Sequence, residues 1–562
     1  MQKQSVMATA IASAQSVNVA RRLSETARRM PGAVGIAEPC GWRPDGRRDY
    51  RRLTFRELDE DTDRLASGLV QMGAAPGTRL AMFVPPSIDF VSLVFATLKA
   101  GLVPILIDPR IGPRTTLDCL DEVKPDGFIA VPLVHALRAV PGGRFVGSRI
   151  NVTVGRRLWW GGETMAGLRR RGQTLFEPVP TTAEDPAAII FTSGSTGPAK
   201  GVLFRHGTFD RQVTEIQEFY GIQSGEIDVP CFPLFGLFNA AMGVTTVIPD
   251  IDASRPARVD PKRVIEAIED WQATQSYGSP AVWDRVGRYC EGRGVRLSSL
   301  RRVLSAGAPV RIEVVRRMQN CIHPSGEMHT PYGATEALPI ASVGANEVLN
   351  ETSRRTDAGS GVCVGRRFPG IEWKIIQIVD GPIRSIAETI EMPEGEIGEL
   401  IVRGPVVTDR YVTRIEANAL AKIADGETVW HRMGDVGYLD SQGRFWFCGR
   451  LSQTVITAAG PMYTSPCEAI FNRHPEVRRS ALVGVGPRGE QRPVIVVELV
   501  RGRVPRRAAR MKLTDELRSL ALSNPLTADI RHFLIHRLLP VDLRHNVKIS
   551  REKLAVWAAR RI

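Results

Sequence analysis

The densest chemistry in this 562-residue sequence lies in one run, Ile189-Ile190-Phe191-Thr192-Ser193-Gly194-Ser195-Thr196-Gly197-Pro198-Ala199-Lys200-Gly201-Val202. An apolar stretch feeds a cluster of hydroxyls and glycines that closes on one lysine. A buried strand opening into such a loop suits a polyphosphate. Glycine lets backbone N–H groups turn inward, the hydroxyls add donors, and Lys200 offsets anionic charge. The run is not a Walker A loop, because Lys200 follows Ala199 and no Ser or Thr follows it.

Three further clusters stand downstream. Tyr332-Gly333-Ala334-Thr335-Glu336 places an aromatic, a hydroxyl and a carboxylate on one turn. Trp430-His431-Arg432-Met433-Gly434-Asp435 ends a β-rich run with a carboxylate beside a glycine. Asn546-Val547-Lys548-Ile549-Ser550-Arg551 sets an isolated lysine near the C-terminus. Each alone reads as structural; their order and spacing carry the meaning. Gly484-Val485-Gly486-Pro487-Arg488-Gly489 fits a dinucleotide fingerprint, but the strand-like Val494 to Leu499 follows it where that motif needs a helix, so a hairpin turn is expected. Neither G-x-S-x-G nor H-E-x-x-H occurs, which removes the anchors of serine-hydrolase and zincin chemistry.

The elements that must position these clusters follow from periodicity. Residues 17–31 alternate apolar and basic positions at helical spacing. Thr54 and Glu57 form a capping box for the next helix. Strand Leu80–Val84, helix Ser87–Ala100 and strand Val103–Ile107 make a βαβ unit, and Asp126–Val131 adds a strand. A second such run is expected to start at Ala187 with the hydroxyl-rich stretch and to continue through Asp228–Leu234, a helix near Lys262–Trp271, Gln275–Tyr277 and Val303–Gly307. Alternation of this kind predicts an α/β protein with parallel sheets. Beyond Gly361 short β segments imply a smaller antiparallel unit, and after Arg450 a compact mixed segment closes the chain.

The length calls for several structural units. With 43% hydrophobic and 24% charged residues the composition is that of a globular protein. A net charge of +14 suits an anionic partner, yet the basic residues are spread out and no aromatics interleave Arg169-Arg170-Arg171 or Arg503 to Lys512, so no nucleic acid is expected. The eight scattered cysteines form no CxxC pair, which fits reduced thiols in a cytoplasmic protein. Phe90 to Ile107, the most apolar run, is broken by Lys99, Gly101 and Pro104 and predicts no transmembrane segment.

Taken together, the four clusters resemble the acyl-activating, adenylate-forming (AMP-dependent synthetase/ligase) superfamily over nearly the whole chain. The resemblance implies a large N-terminal domain of stacked αβ sheets with a β-barrel-like subdomain over residues 1–452, and a small mobile α+β C-terminal lid domain over residues 453–562. It implies ATP and Mg²⁺. Thr192, Ser193, Ser195, Thr196 and Lys200, on a loop shaped by Gly194 and Gly197, would hold the β- and γ-phosphates. Gly307, Ala308, Pro309 and Tyr332 would flank the adenine. Thr335 would touch the α-phosphate, Glu336 would hold Mg²⁺, and Asp435 would accept both ribose hydroxyls. Arg450 would sit near the ribose and the hinge, and Lys548 would bridge the substrate carboxylate and the α-phosphate. Lys548, Thr335, Glu336 and Lys200 are then the catalytic set.

Several details depart from the usual acyl-CoA synthetase pattern. Gly236 replaces a histidine after Pro233-Leu234-Phe235, Ser452-Gln453 replaces a lysine–aspartate hinge, and the tail from Pro540 to Lys548 is two residues longer. These departures, with Val247-Ile248-Pro249-Asp250 and Tyr463-Thr464-Ser465-Pro466-Cys467-Glu468, look like the β-lactone synthetases of bacterial olefin biosynthesis. That resemblance implies a long-chain 2-alkyl-3-hydroxy fatty acid as substrate, activated as acyl-AMP and closed by its own hydroxyl, with other enzymes of an olefin-type pathway as possible partners. Phe232, Phe235, Leu237, Phe238, Tyr277 and Met242 are the expected apolar lining. No residue stands out as base for the hydroxyl; His431 and His545 merely lie near motif residues. A fatty acyl-CoA ligase or acyl-carrier loading enzyme is the first alternative, and a non-catalytic basic nucleic-acid-binding protein the second.

Overall fold

Thr54 and Glu57 open helix α1 (Phe55–Gln71) as their spacing predicts: the Glu57 amide donates to Thr54 Oγ1 at 3.2 Å and the Thr54 amide to Glu57 Oε2 at 2.7 Å. The structure, a computed structural model, describes residues 16–139, 144–145, 147–192, 198–232, 236–500, 502, 504–541 and 549–562. The amphipathic stretch expected over 17–31 is helical only over Arg21–Arg29. Asn18 shortens it, its Oδ1 accepting from the Ala20 amide and its Nδ2 donating to Leu98 O, side-chain bonds that compete with a helical start.

The first sheet is built as the βαβ pattern requires. Strands β1 (Arg79–Phe83), β2 (Val103–Leu106) and β3 (Gly127–Ala130) are parallel, and helix α2 (Ile88–Lys99) joins the first two. Ser87 caps α2 by accepting from the Phe90 amide, and every residue of α2 except Asp89 is buried, as a helix covered on all sides must be. Its last residue, Lys99, is satisfied by Asp59 and Asp63, each at 2.5 Å. Helix α3 (Pro132–Arg138) follows β3. Strand β4 (Pro186–Phe191) carries the start of the hydroxyl-rich run and pairs parallel with β2, Ile105 opposite Ile189. The second run expected to start at Ala187 therefore begins inside the first sheet, which this strand extends, and β5 (Gly201–Arg205) turns back antiparallel to it as the sheet's edge. Helix α4 (His206–Tyr220) follows.

Among the described residues the second sheet has fourteen strands. Its parallel part includes β6 (Gln275–Gly278), β7 (Arg302–Ser305) and β8 (Glu327–Ala334). Of the expected strand at Asp228–Leu234, whose residues 233 and 234 lie outside the described residues, the described part is a strand only at Ile227–Asp228, since Pro230 has no N–H for a ladder. After β8 the sheet becomes antiparallel through β9 (Ala337–Gly344), β10 (Gly398–Arg403), β11 (Lys422–Asp425), β12 (Thr428–Leu439) and β13 (Phe445–Arg450). The β-rich unit expected beyond Gly361 is therefore continuous with the parallel strands, joined where Ala341 and Ser342 meet Arg367 and Arg366.

The C-terminal segment has its own core. Helix α5 (Thr464–Asn472) packs on β14 (Val477–Val485), which pairs antiparallel with β15 (Arg492–Leu499), and β16 (His532–Ile535) lies parallel to β15. Gly484 to Gly489 thus belongs to a hairpin, as its sequel predicts. All eight cysteines are free, and no helix among the described residues is long and apolar enough to cross a membrane.

Candidate active site

The C-terminal ends of both parallel sheets face one cavity of about 1100 Å³. Val84 after β1, Asp108 after β2, Val131 after β3, Ser279 after β6 and Gly307 after β7 all line it. This is where open α/β sheets hold ligands.

Its polar end is built on two hairpins. In the β4–β5 hairpin the Thr192 amide donates to Lys200 O at 3.0 Å and the Lys200 amide to Thr192 Oγ1 at 3.1 Å, so both residues stand at the neck of the loop and line the cavity. Ser193, Gly194, Ser195, Thr196 and Gly197 lie outside the described residues. In the β8–β9 hairpin Ala334 pairs with Ala337, which leaves Thr335 and Glu336 on the turn, also facing the cavity. Thr408 fixes that turn with its amide at 2.8 Å and its hydroxyl at 2.9 Å from Glu336 O. The Tyr411 hydroxyl donates to Glu336 Oε1 at 2.7 Å, and the Lys200 ammonium lies 4.6 Å from the centre of the Tyr411 ring. Burial and the Glu336 charge push the Tyr411 phenol far up, so it stays a donor.

A third group forms where β12 and β13 pair. Asp435 and Arg450 are register partners, joined at 3.0 Å, and the Arg450 guanidinium also donates to Met433 O at 3.0 Å. Gly434 at φ +63° makes the local kink that turns Asp435 inward. The Tyr332 hydroxyl donates to Asp435 Oδ2. Arg450 and Gly434 line the cavity, whereas Tyr332 and Asp435 do not. Gly307, at φ +92° after β7, lines the cavity; Ala308 and Pro309 continue the same turn without reaching it. Lys548 and His545 lie outside the described residues.

The other end of the cavity is apolar. Phe90, Val94 and Leu98 project from α2 at four-residue spacing, and Phe209, Val213 and Ile216 face them from α4. Phe232, Leu237, Phe238, Tyr277 and Met242 line it as expected, while Phe235 is outside the described residues. Two helices thus wall an apolar slot.

Sequence reasoning missed two polar residues here and passed over a third. Tyr411 and Lys422 belong to no motif; the segment carrying Tyr411 bridges to β5 at Val202, and Lys422 donates to Thr408 O. Burial, with the nearby Lys200 charge, brings the Lys422 ammonium down to about 8 against the pull of Glu336 and Asp409. His431, on β12 opposite Lys422, is 3% exposed and lines the cavity. Its Nδ1 lies 3.1 Å from Ala421 O. A carbonyl only accepts, so Nδ1 carries the hydrogen and Nε2 is left with its lone pair. Burial first, then Lys422, Lys200 and Arg450, hold this imidazole neutral, well below its ordinary range.

Comparisons with known proteins agree with this arrangement. The model of the family described as AMP-binding enzyme matches residues 23–412. The chain is 45% identical over 556 residues to an olefin β-lactone synthetase of Stenotrophomonas maltophilia, covering 96% of this chain and 98% of that protein. It is 44% identical to an olefin β-lactone synthetase of Xanthomonas campestris pv. campestris, covering 96% and 97%. Among solved structures, amide bond synthetase McbA from Marinactinospora thermotolerans shares the fold with a TM-score of 0.76 at 22% identity, over 96% of this chain and 99% of that one. The large N-terminal domain and the smaller C-terminal domain follow that fold. The chain belongs to the AMP-binding enzyme family, alongside the olefin β-lactone synthetases, and is an AMP-forming acid-activating ligase.

Proposed function

We propose that this enzyme uses ATP to activate a long-chain 2-alkyl-3-hydroxy fatty acid and closes the acyl-adenylate to a β-lactone, releasing pyrophosphate and then AMP. The observation that carries the reading is near-full-length identity of 45% and 44% to two proteins named olefin β-lactone synthetase. The apolar slot between α2 and α4, running into a polar end, supports a long acyl chain whose carboxylate reaches the phosphates.

In the first step a carboxylate oxygen attacks the α-phosphorus and pyrophosphate leaves. Two anions must meet, so the site has to supply positive charge and fixed donors. Lys200 and the loop 192–197 hold the β- and γ-phosphates in this reading, Thr335 donates to the α-phosphate, and Lys548 bridges carboxylate and α-phosphate. Gly307, Ala308, Pro309 and Tyr332 flank the adenine, and Asp435 takes the ribose hydroxyls in place of the Tyr332 hydroxyl, with Arg450 beside it. Glu336 fits Mg²⁺: its carboxylate stands on the β8–β9 turn and lines the cavity, and Mg²⁺ commonly takes one or two protein carboxylates together with phosphate oxygens and water. Bound there it would neutralise phosphate charge. The domain boundary falls between 452 and 453, in the short turn Leu451–Gln453 that follows β13, and the small domain swings about it to deliver Lys548.

In the second step the substrate's 3-hydroxyl oxygen attacks the acyl carbon. The new C–O bond forms as the carbon–oxygen bond to AMP breaks, and the hydroxyl proton passes to His431 Nε2. Attack from within one molecule needs no thiol, because the nucleophile is already in place.

Incubation with ATP, Mg²⁺ and a long-chain 3-hydroxy acid is expected to give lactone and AMP equally with and without coenzyme A. AMP release that depends on coenzyme A would replace this reading with an acyl-CoA ligase. His431→Asn keeps a donor for Ala421 O but removes the Nε2 lone pair. It is expected to slow lactone formation from preformed acyl-adenylate by about 10²-fold while pyrophosphate release stays within about threefold of wild type. Because the imidazole is held neutral, the wild-type lactone step should show no histidine inflection between about pH 6 and 8. An unchanged lactone rate in His431→Asn removes it from the mechanism.

A further inference from the structure

Residues 131–162 contain five arginines, Arg138, Arg144, Arg149, Arg156 and Arg157, and no aspartate or glutamate, although acidic residues make up 60 of the chain's 562. The same stretch exposes large apolar side chains: Leu133 at 69%, Leu137 at 68%, Leu158 at 50% and Trp159 at 73%. Leu133 and Leu137 stand one turn apart on the outer face of α3, whose Val134 lines the cavity. The loop 155–160 runs beside the start of that helix. A Cβ at Gly155 would sit 3.8 Å from the Pro132 ring, Trp160 stacks on His135 with centroids 6.1 Å apart, and Trp159 meets Trp160 edge-on at 5.1 Å. Trp160 is buried and bonded to Thr153 Oγ1, so it anchors the loop, and Trp159 faces out. Across the cavity rim the exposed Pro85 and Pro86 follow β1.

We propose that this face docks the enzyme on an anionic lipid bilayer. Leu133, Leu137, Leu158 and Trp159 enter the boundary between headgroups and acyl chains, and Arg149, Arg156 and Arg157, all exposed, lie against lipid phosphates. An apolar set with an interfacial tryptophan and flanking arginines is what surface binding to such a bilayer requires. Arg144 is excluded from the lipid-facing set because it pairs with Asp121 at 2.7 Å. The cavity rim between Pro85-Pro86 and α3 then opens on the bilayer, and a long acyl chain passes between lipid and slot without crossing water, where each methylene would add to the cost. A second copy of the chain fits this face poorly, since a two-fold contact would oppose two segments 131–162 that carry five arginines and no aspartate or glutamate of their own. From the proposed reaction the inference takes only that the cavity holds a long acyl chain.

The test is co-sedimentation of the full-length enzyme with vesicles of phosphatidylglycerol and phosphatidylcholine, and with phosphatidylcholine alone. Wild type is expected to pellet with the anionic vesicles at least about tenfold more strongly than with the neutral ones. The triple variant Leu133→Ser/Leu137→Ser/Trp159→Ser should lose at least about tenfold in binding, and Arg156→Glu/Arg157→Glu should fall to the neutral-vesicle level. Both variants should keep wild-type pyrophosphate release with a short, water-soluble 3-hydroxy acid, which shows that they fold. Wild type remaining in the supernatant with both vesicles overturns the proposal, as do variants that pellet like wild type. So does a wild-type dimer in sedimentation velocity that the triple variant dissolves, because the face is then a contact between copies. Vesicle binding reads no product, so it stands or falls apart from lactone formation.

Discussion

Lys548→Ala is expected to lower pyrophosphate release from ATP and the hydroxy acid by about 10³-fold while ATP binding, read by calorimetry, changes by no more than about threefold. The asymmetry follows from what the lysine is proposed to do. In the proposed reading ATP makes its contacts with the β4–β5 and β8–β9 hairpins of the large domain, whereas the charge that would draw the carboxylate onto the α-phosphate is carried by the C-terminal segment. The chain on either side of Lys548 is anchored for such a task. Val541 bridges to Ile549, and Arg551 forks onto Glu468 of α5 at 2.7 and 2.8 Å and reaches Gln453 of the turn Leu451–Gln453 at 3.1 Å. Lactone formation from preformed acyl-adenylate should survive the substitution, since the carboxylate–phosphate repulsion is by then past. Pyrophosphate release retained in Lys548→Ala would remove this lysine from the adenylation step.

The sequence carried those parts of the site that are local. Thr335 and Glu336 on one turn, Thr192 and Lys200 at one loop neck, and Asp435 beside a kinking glycine are each set by a few adjacent residues; the structure brings the first four to one cavity, with Gly434 beside Asp435 lining it too. The pairing of Asp435 with Arg450 was half legible, as two ends of neighbouring β segments. What escaped depends on distant contacts. Tyr411 touches Glu336 across 75 positions, and Thr413 accepts from the Gly201 amide across 212. Neither residue stands in a recognisable pattern, and only the lateral addition of segment 410–413 to β5 makes them neighbours. The placement of β4 was not legible for a related reason: an apolar strand does not reveal which sheet edge it will join. The slot walls on α2 and α4 escaped because an apolar residue facing a cavity and one facing a core have the same periodicity. Helix α2, apolar on nearly every side, gave no face to single out.

The largest expected effect on stability lies in the cavity wall, where Arg432 and Glu399 face each other on β12 and β10 with side chains 6% and 2% exposed and a closest approach of 2.6 Å. The arginine also donates to Gly381 O at 2.6 Å and Val379 O at 2.9 Å, and residues 379–381 line the cavity. Glu399→Ala leaves a buried guanidinium with only carbonyls for company, and should cost about 3–5 kcal/mol. The two halves of the pair are not equivalent. Burial pushes the Glu399 carboxyl up while Arg432 pulls it down, so without Arg432 the acid can take a proton and become neutral. A guanidinium has no such escape. Arg432→Met should therefore destabilise less than Glu399→Ala, and the apolar double variant Glu399→Leu/Arg432→Met should recover much of the loss, a coupling that a double-mutant cycle reads directly. With two domains present, the comparison belongs on the thermal transition of the large one, where Glu399→Ala should fall by several degrees. The same variant should raise KM for the acid more than for ATP, because the wall segment it releases also meets the small domain through Asp380 and Arg488, 3.6 Å apart. A Glu399→Ala midpoint within about one degree of wild type would show that the pair contributes no net stability, as some buried pairs do not.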